Sequence, residues 1–336
     1  MKISRAVAAA HVAERCRSAR PPLADQWQSA GGLERWLDRR GADLPFPAAG
    51  SAGVRALGFD EPEFPENLRR VVPSCAALFL RGLPEPLPPT ERCVAIIGAR
   101  RCTDEGRWLA RDLAAAAARS GVVVVSGLAL GTDAAAHEGA LDAGGRTIAV
   151  LASPVDEPTP QRNRGLADRI VAGGGWLVSE RPPGARLSAR EFPIRNRLVA
   201  ALVSLVVVVE ASVRSGTLST VGHALGLGVG VAAVPGWPTR PMSAGPNALL
   251  AAGAGVIASG DDLLAALFQS VGSPCAVDLD PDERAVLEGT PLAVAPIERW
   301  AANSGVPTPR AHVALTRLAS KGVLRRLGGG QMARVL

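Results

Sequence analysis

Three short stretches hold the residues best suited to chemistry: "GARRCT" (98–103), "FPIRNR" (192–197) and "EASVRSGTLST" (210–220). Each sets arginine beside glycine, hydroxyl or amide side chains. Ser215, Gly216 and Thr217 precede a helical pattern, with Arg214 next to them. Backbone N–H groups at a helix start, two hydroxyls and a guanidinium together make a phosphate cradle. Gly98 permits a tight turn beside Arg100 and Arg101. Arg195, Asn196 and Arg197 open a further helix. Residues two apart on a regular helix point about 200° apart. Both arginines can therefore face one groove only if Arg195 sits in the incoming turn. Otherwise one of them bonds a carboxylate such as Glu180 or Glu210. Arg197 is the preferred phosphate contact of the two.

Acid–base chemistry has one candidate pair, Asp133 and His137 in "TDAAAH" (132–137), four apart and able to share a helix face. The competing reading makes Asp133 a helix cap and His137 a locally bonded packing residue. Cys16, Cys75, Cys93, Cys102 and Cys275 form no CxxC pair and have no histidine at ligand spacing. Neither zinc nor a disulfide framework is expected, and the compartment reads as reducing.

The elements that must position these residues follow from hydrophobic runs. "CVAII" (93–97), "VVVV" (122–125), "TIAVL" (147–151), "WLVS" (176–179), "LVVVV" (205–209) and "VAAV" (231–234) are apolar without alternation. Strands read that way when helices cover both faces of the sheet. Helical patterns lie between them, such as 104–120, which the Thr103 hydroxyl can cap. The alternation predicts an α/β fold with a doubly wound, mostly parallel sheet. Ligands of such sheets bind at the strands' carboxyl ends, where the arginine-bearing loops fall. The Pro-rich "LPEPLPPT" (83–90) and "SVGSPCAVDLDPDE" (270–283) divide the chain into a helical, turn-rich extension (1–85), a central domain (86–270) and a tail domain (281–336).

Composition narrows the partners. The chain carries net charge +6, and of its 37 Lys and Arg only Lys2 and Lys321 are lysine. A basic balance suits a polyanion. No apolar stretch reaches membrane-spanning length and no signal-peptide core forms, so a cytoplasmic protein without membrane contact is expected. The first turn lacks GxGxxG, the second strand ends on Ser126-Gly127 rather than a carboxylate, and no GxxxxGK[ST] occurs. NAD, FAD and a P-loop nucleotide site are therefore not expected, and no cofactor is.

The series "VAIIGAR", "VVSGLALGTDAAAH", "FPIRNRLVAAL", "VVVVEASVRSGTLST" and "AVPG" with "SAGPNALLAAGA" resembles the DprA/Smf family of bacterial DNA-processing proteins across residues 60 to 260. The resemblance implies an extended Rossmann-like domain that binds single-stranded DNA, forms a homodimer and loads RecA recombinase in natural transformation or recombination. It assigns phosphate contact to Arg100, Arg195, Arg197, Arg214, Ser215 and Gly216; Gly98, Asn196 and Thr217 stand beside them in the same motifs. Departures occur. Arg214 replaces a frequent lysine, no tyrosine stands near Thr159, and Gly222 and Gly228 replace frequent basic residues. Pro246 occupies the turn of "SAGPN". The alternative is a nucleotide-sensing or nucleoside-monophosphate-hydrolysing Rossmann-like protein. Against hydrolysis, Thr220 stands where the carboxylate of PGGxGTxxE would fall.

The tail reads as three helices (281–290, 295–305 and 308–322) followed by two strands around a glycine turn (323–336). That is a winged-helix pattern, with Arg310, His312, Arg317 and Lys321 on its third helix. Duplex DNA contact and protein docking are both open to it.

Overall fold

The computed structural model describes residues 53–59, 61–71, 75, 77–271, 280–289, 294–320, 324–326 and 331–334. The expected N-terminal extension lies outside the described residues as far as residue 52, and so does Lys321.

The central sheet contains β1 (Val54–Gly58), β2 (Ala77–Gly82), β3 (Cys93–Ile97), β4 (Val123–Ser126), β5 (Thr147–Leu151), β6 (Trp176–Ser179), β7 (Leu205–Val208), β8 (Gly230–Ala233) and β9 (Gly255–Val256). Its order is β1-β2-β6-β5-β4-β3-β7-β8-β9. From β6 to β9 all pairings are parallel; β2 joins β6 antiparallel and β1 closes the edge. Residues 54–82 thus belong to the same sheet, across the boundary expected at residue 85. The Pro-rich connector joins two strands of that sheet and does not separate domains.

Successive strand residues face opposite ways, and both sides are buried. Ala95, Ile97, Val206 and Val208 pack with Leu198, Val199, Val221 and Ala224. Val94, Ile96, Leu205 and Val207 pack with Ala110, Leu113, Ala136 and Ala140. This is why the strands read as continuous apolar runs.

The helices of this sheet are α1 (Glu66–Arg69), α2 (Asp104–Arg119), α3 (Thr132–Asp142), α4 (Arg164–Ala172), α5 (Glu191–Ala201), α6 (Thr217–Leu227), α7 (Ala244–Ala251) and α8 (Gly260–Val271). Thr103 caps α2 as expected, its hydroxyl accepting from the Gly106 N–H at 3.0 Å.

Residues from 271 onward form a separate compact unit. It contains α9 (Pro281–Gly289), α10 (Ile297–Asn303) and α11 (Thr308–Ser320), with an antiparallel sheet of β10 (Val294–Pro296), β11 (Leu324–Arg326) and β12 (Gln331–Arg334) in the order β10-β12-β11. Trp300, Leu315, Leu318 and Met332 make its core. Val313 is about half exposed on α11.

Candidate nucleic-acid interface

Strands β3 and β7 lie side by side, yet the chain runs from β3 outward to β6 and from β7 outward to β9. Loops leaving the two strands diverge at such a switch point and open a crevice. A cavity of about 480 Å³ lies there, lined by Gly98, Arg100, Phe192, Arg195, Asn196, Ser215, Gly216 and Thr217 together with Asp133, Thr220 and Met242.

The start of α6 forms one wall. Ser215 Oγ donates to Thr217 Oγ1 at 3.0 Å and accepts from the Thr217 N–H at 3.2 Å, while Thr217 Oγ1 donates to the Gly98 carbonyl at 3.0 Å. The Gly216 N–H donates to no other group among the described residues, and a Cβ on Gly216 would meet open space. Asn196 Nδ2 holds this corner from α5, donating to the Gly216 carbonyl at 3.2 Å and to Ser219 Oγ at 2.7 Å. Asn196 therefore shapes the cradle.

Gly98 works by close approach. A Cβ there would stand 2.5 Å from Thr132 Oγ1, so only glycine lets the β3 turn pack against the start of α3. Arg100 is exposed beyond it, its guanidinium 5.1 Å from the Phe192 ring centroid. That ring lines the cavity beneath an arginine.

Arg195 lines the cavity as a buried guanidinium. It is 7% exposed; one terminal nitrogen donates to the Val150 carbonyl at 2.5 Å, while Nε has no partner among the described residues. Its guanidinium occupies the space that a Cβ on Gly127 would need. Burial pulls its pKa below the ordinary arginine value, and neighbouring Asp133 opposes that pull. Burial likewise raises the Asp133 pKa, against Arg195 and the N–H groups of Ala129 and Gly127. Asp133 accepts from Gly127 at 3.1 Å and Ala129 at 3.3 Å, so it pins the loop after β4 under the cavity.

Arg197 goes elsewhere. Both arginines lie inside α5, so they diverge, and Arg197 is 1% exposed. It donates to both Glu180 oxygens at 2.7 and 2.8 Å, the arrangement foreseen as the structural alternative. It does not line the cavity, and the preference for it over Arg195 as a phosphate contact does not fit this placement. Arg214 stands exposed in the turn before Ser215, with no ion pair or hydrogen bond among the described residues.

The candidate acid–base pair is not assembled. Thr147 Oγ1 donates to the Val124 carbonyl at 2.6 Å and so must accept from His137 Nδ1 at 2.7 Å. His137 is buried away from the cavity that Asp133 lines. No group of three or more His, Cys, Asp or Glu among the described residues could hold a metal ion. No helix among them is long and apolar enough to cross a membrane.

In the tail unit the basic helix is partly neutralised from within. Arg310 bonds Asp282 through two contacts at 2.8 and 2.7 Å, and Arg317 bonds Asp280 at 2.9 Å. Both carboxylates flank the start of α9, a partnership that a count of basic residues along α11 does not reveal.

A doubly wound, mostly parallel sheet with an arginine-lined crevice at its switch point defines a Rossmann-like α/β protein. The family of DNA recombination-mediator protein A matches residues 55–268, and the chain belongs to that family. It is 35% identical over 236 residues to the DNA processing protein DprA of Bacillus subtilis, covering 70% of this chain and 79% of that protein. To Protein Smf of Escherichia coli it is 33% identical over 282 residues, 81% of this chain and 75% of that one. A Mycobacterium tuberculosis protein described as a putative DNA processing protein DprA is 47% identical over 173 residues, 52% of this chain but 44% of that longer relative. Among solved structures, DprA of Streptococcus pneumoniae superposes with TM-score 0.61 at 27% identity, over 79% of this chain and 98% of its own. DprA of Helicobacter pylori superposes with TM-score 0.57 at 29% identity, over 64% and 96%; its structure is described for a unique single-stranded DNA binding mode.

Proposed function

We propose that this chain binds single-stranded DNA along the carboxyl rim of its sheet, seating a phosphate at Ser215–Thr217 beside Gly98 and Arg100. The observation that carries the reading is the open Gly216 N–H at a helix start, with unpaired Arg214 next to it and buried Arg195 below. A fixed N–H and a free guanidinium recognise phosphate without reading sequence. The single-stranded DNA binding mode described for the Helicobacter pylori relative supports the same ligand. Arg197 has a structural part in this reading.

Family membership extends the proposal to a homodimer that loads RecA recombinase in the cytoplasm. No catalytic step is assigned. Thr220 at the cavity wall, in place of a carboxylate, supports binding over nucleotide hydrolysis. Labelled nucleoside monophosphates incubated with the protein should release no base.

Fluorescence anisotropy with single- and double-stranded oligonucleotides of one sequence tests the main reading. Tighter binding of the single strand is expected; equal or weaker binding overturns it. The Arg310 and Arg317 ion pairs favour the core over the tail as the reader of DNA. A chain ending near residue 270 should therefore keep its affinity.

A further inference from the structure

We propose that Trp237 is a base-stacking platform, taking a nucleobase of the strand whose phosphate sits at the α6 cradle. This rests on the single-stranded DNA reading above. Trp237 is 70% exposed in the loop after β8, flanked by Pro235 and Pro238. Its indole makes no hydrogen bond or ring contact among the described residues.

The backbone that displays it is fixed. Asn247 clamps Gly236 from both sides, accepting from its N–H at 3.1 Å and donating to its carbonyl at 2.8 Å. The Arg240 N–H then closes a turn on the Trp237 carbonyl at 3.0 Å. A large apolar ring held out by a closed turn loses little backbone freedom when a ligand covers it.

Its loop is also stitched to the cradle's loop. The Ala211 N–H donates to the Met242 carbonyl at 2.8 Å, and the Gly245 N–H to the Ala211 carbonyl at 2.8 Å. Met242 lines the cavity, and Ala211 leads to Arg214 and Ser215. A π face and a free guanidinium on joined loops suit a flexible polyanion with unpaired bases, since stacking tolerates any base.

Trp108, 66% exposed, provides the contrast. It lies on α2 in a hollow shared with Arg111, which is paired with Glu138 and Asp142. Carboxylates there would repel phosphate, so exposure alone does not select Trp108.

The test compares full-length wild type, Trp237→Ala and Trp237→Phe. Affinity is measured for a thymidine oligonucleotide and for an abasic strand of equal length. Trp237→Ala should weaken thymidine binding roughly five- to 150-fold, the equivalent of ~1–3 kcal/mol for one stacked base. Trp237→Phe should recover most of that loss, and neither change should alter binding of the abasic strand. Wild-type binding of thymidine that is insensitive to Trp237→Ala, or an equal loss on the abasic strand, overturns the proposal alone. A wild-type protein that binds neither strand overturns the single-strand reading together with it.

Discussion

Arg195 and Arg197 stand two residues apart on α5, yet one guanidinium lies beneath the cavity over Gly127 and the other is gripped by Glu180. Their separation around the helix, about 200°, enforces the split. Arg197→Ala leaves a carboxylate facing a buried gap. Its cost should fall toward the lower end of ~3–5 kcal/mol, because the Glu180 side chain keeps 26% exposure. Denaturant midpoints should show this loss, and the salt dependence of DNA affinity should stay as in wild type. A shallower salt slope in a folded Arg197→Ala protein would return Arg197 to the phosphate-binding set.

Arg214 and Arg100 should behave in the opposite way. Both are exposed, so alanine at either position should leave the melting temperature close to wild type. Each lost phosphate contact on a single strand makes the slope of log affinity against log salt shallower by ~0.7. The double variant should lose about twice that. Titrations at several salt concentrations measure the slope directly.

Most of the central sheet was legible because buried parallel strands announce themselves as uninterrupted apolar runs. The exceptions have physical causes. β1 reads "VRALG", with Arg55 partly exposed and paired with Glu63, so it lacks the signature of a strand covered on both faces. β9 has two residues, both exposed, too few for any period to show. The cradle at 214–217 was legible because its residue types state their chemistry. The division of roles between Arg195 and Arg197 was not. Glu180 and Glu210, both just past strand ends, were the candidate carboxylates, and nothing in the sequence said which arginine would reach either. Phe192 lies in the first turn of α5, and its position under Arg100 depends on how that helix start meets the distant turn after β3.

Burial drives the His137 pKa from 6.5 down to about 3, with Arg195 adding to the effect. In the unfolded chain the imidazole takes up a proton below about pH 6.5, whereas the folded protein keeps it neutral. Its contribution is therefore intact above that pH and is lost as pH falls toward 3. The slope approaches ~1.4 kcal/mol per pH unit. His223, lowered by partial burial and by Arg197, acts in the same sense. Denaturation between pH 7 and pH 4.5 should show wild type losing stability faster than His137→Gln. Parallel curves would mean that His137 titrates freely in the folded state.

Thr103 and Glu210 strap the loop after β3 to the end of β7. Glu210 accepts from the Thr103 N–H at 2.8 Å and from its hydroxyl at 2.6 Å, while the same hydroxyl oxygen caps α2 at Gly106. One hydroxyl thus fixes a helix start and a carboxylate at once, on the turn that carries Arg100. Thr103→Val keeps the shape but removes both bonds. The lost cap contributes ~1 kcal/mol, and weakened satisfaction of Glu210 adds ~1–3 kcal/mol. Loosening the turn should also lower single-stranded DNA affinity, because ordering Arg100 must then be offset on binding. The phosphate contact itself survives, so the salt slope should stay as in wild type, unlike that of Arg100→Ala. Thr103→Ser, which retains the hydroxyl, should restore both stability and affinity. If Thr103→Val flattens the slope as Arg100→Ala does, the strap is part of the phosphate contact rather than its support.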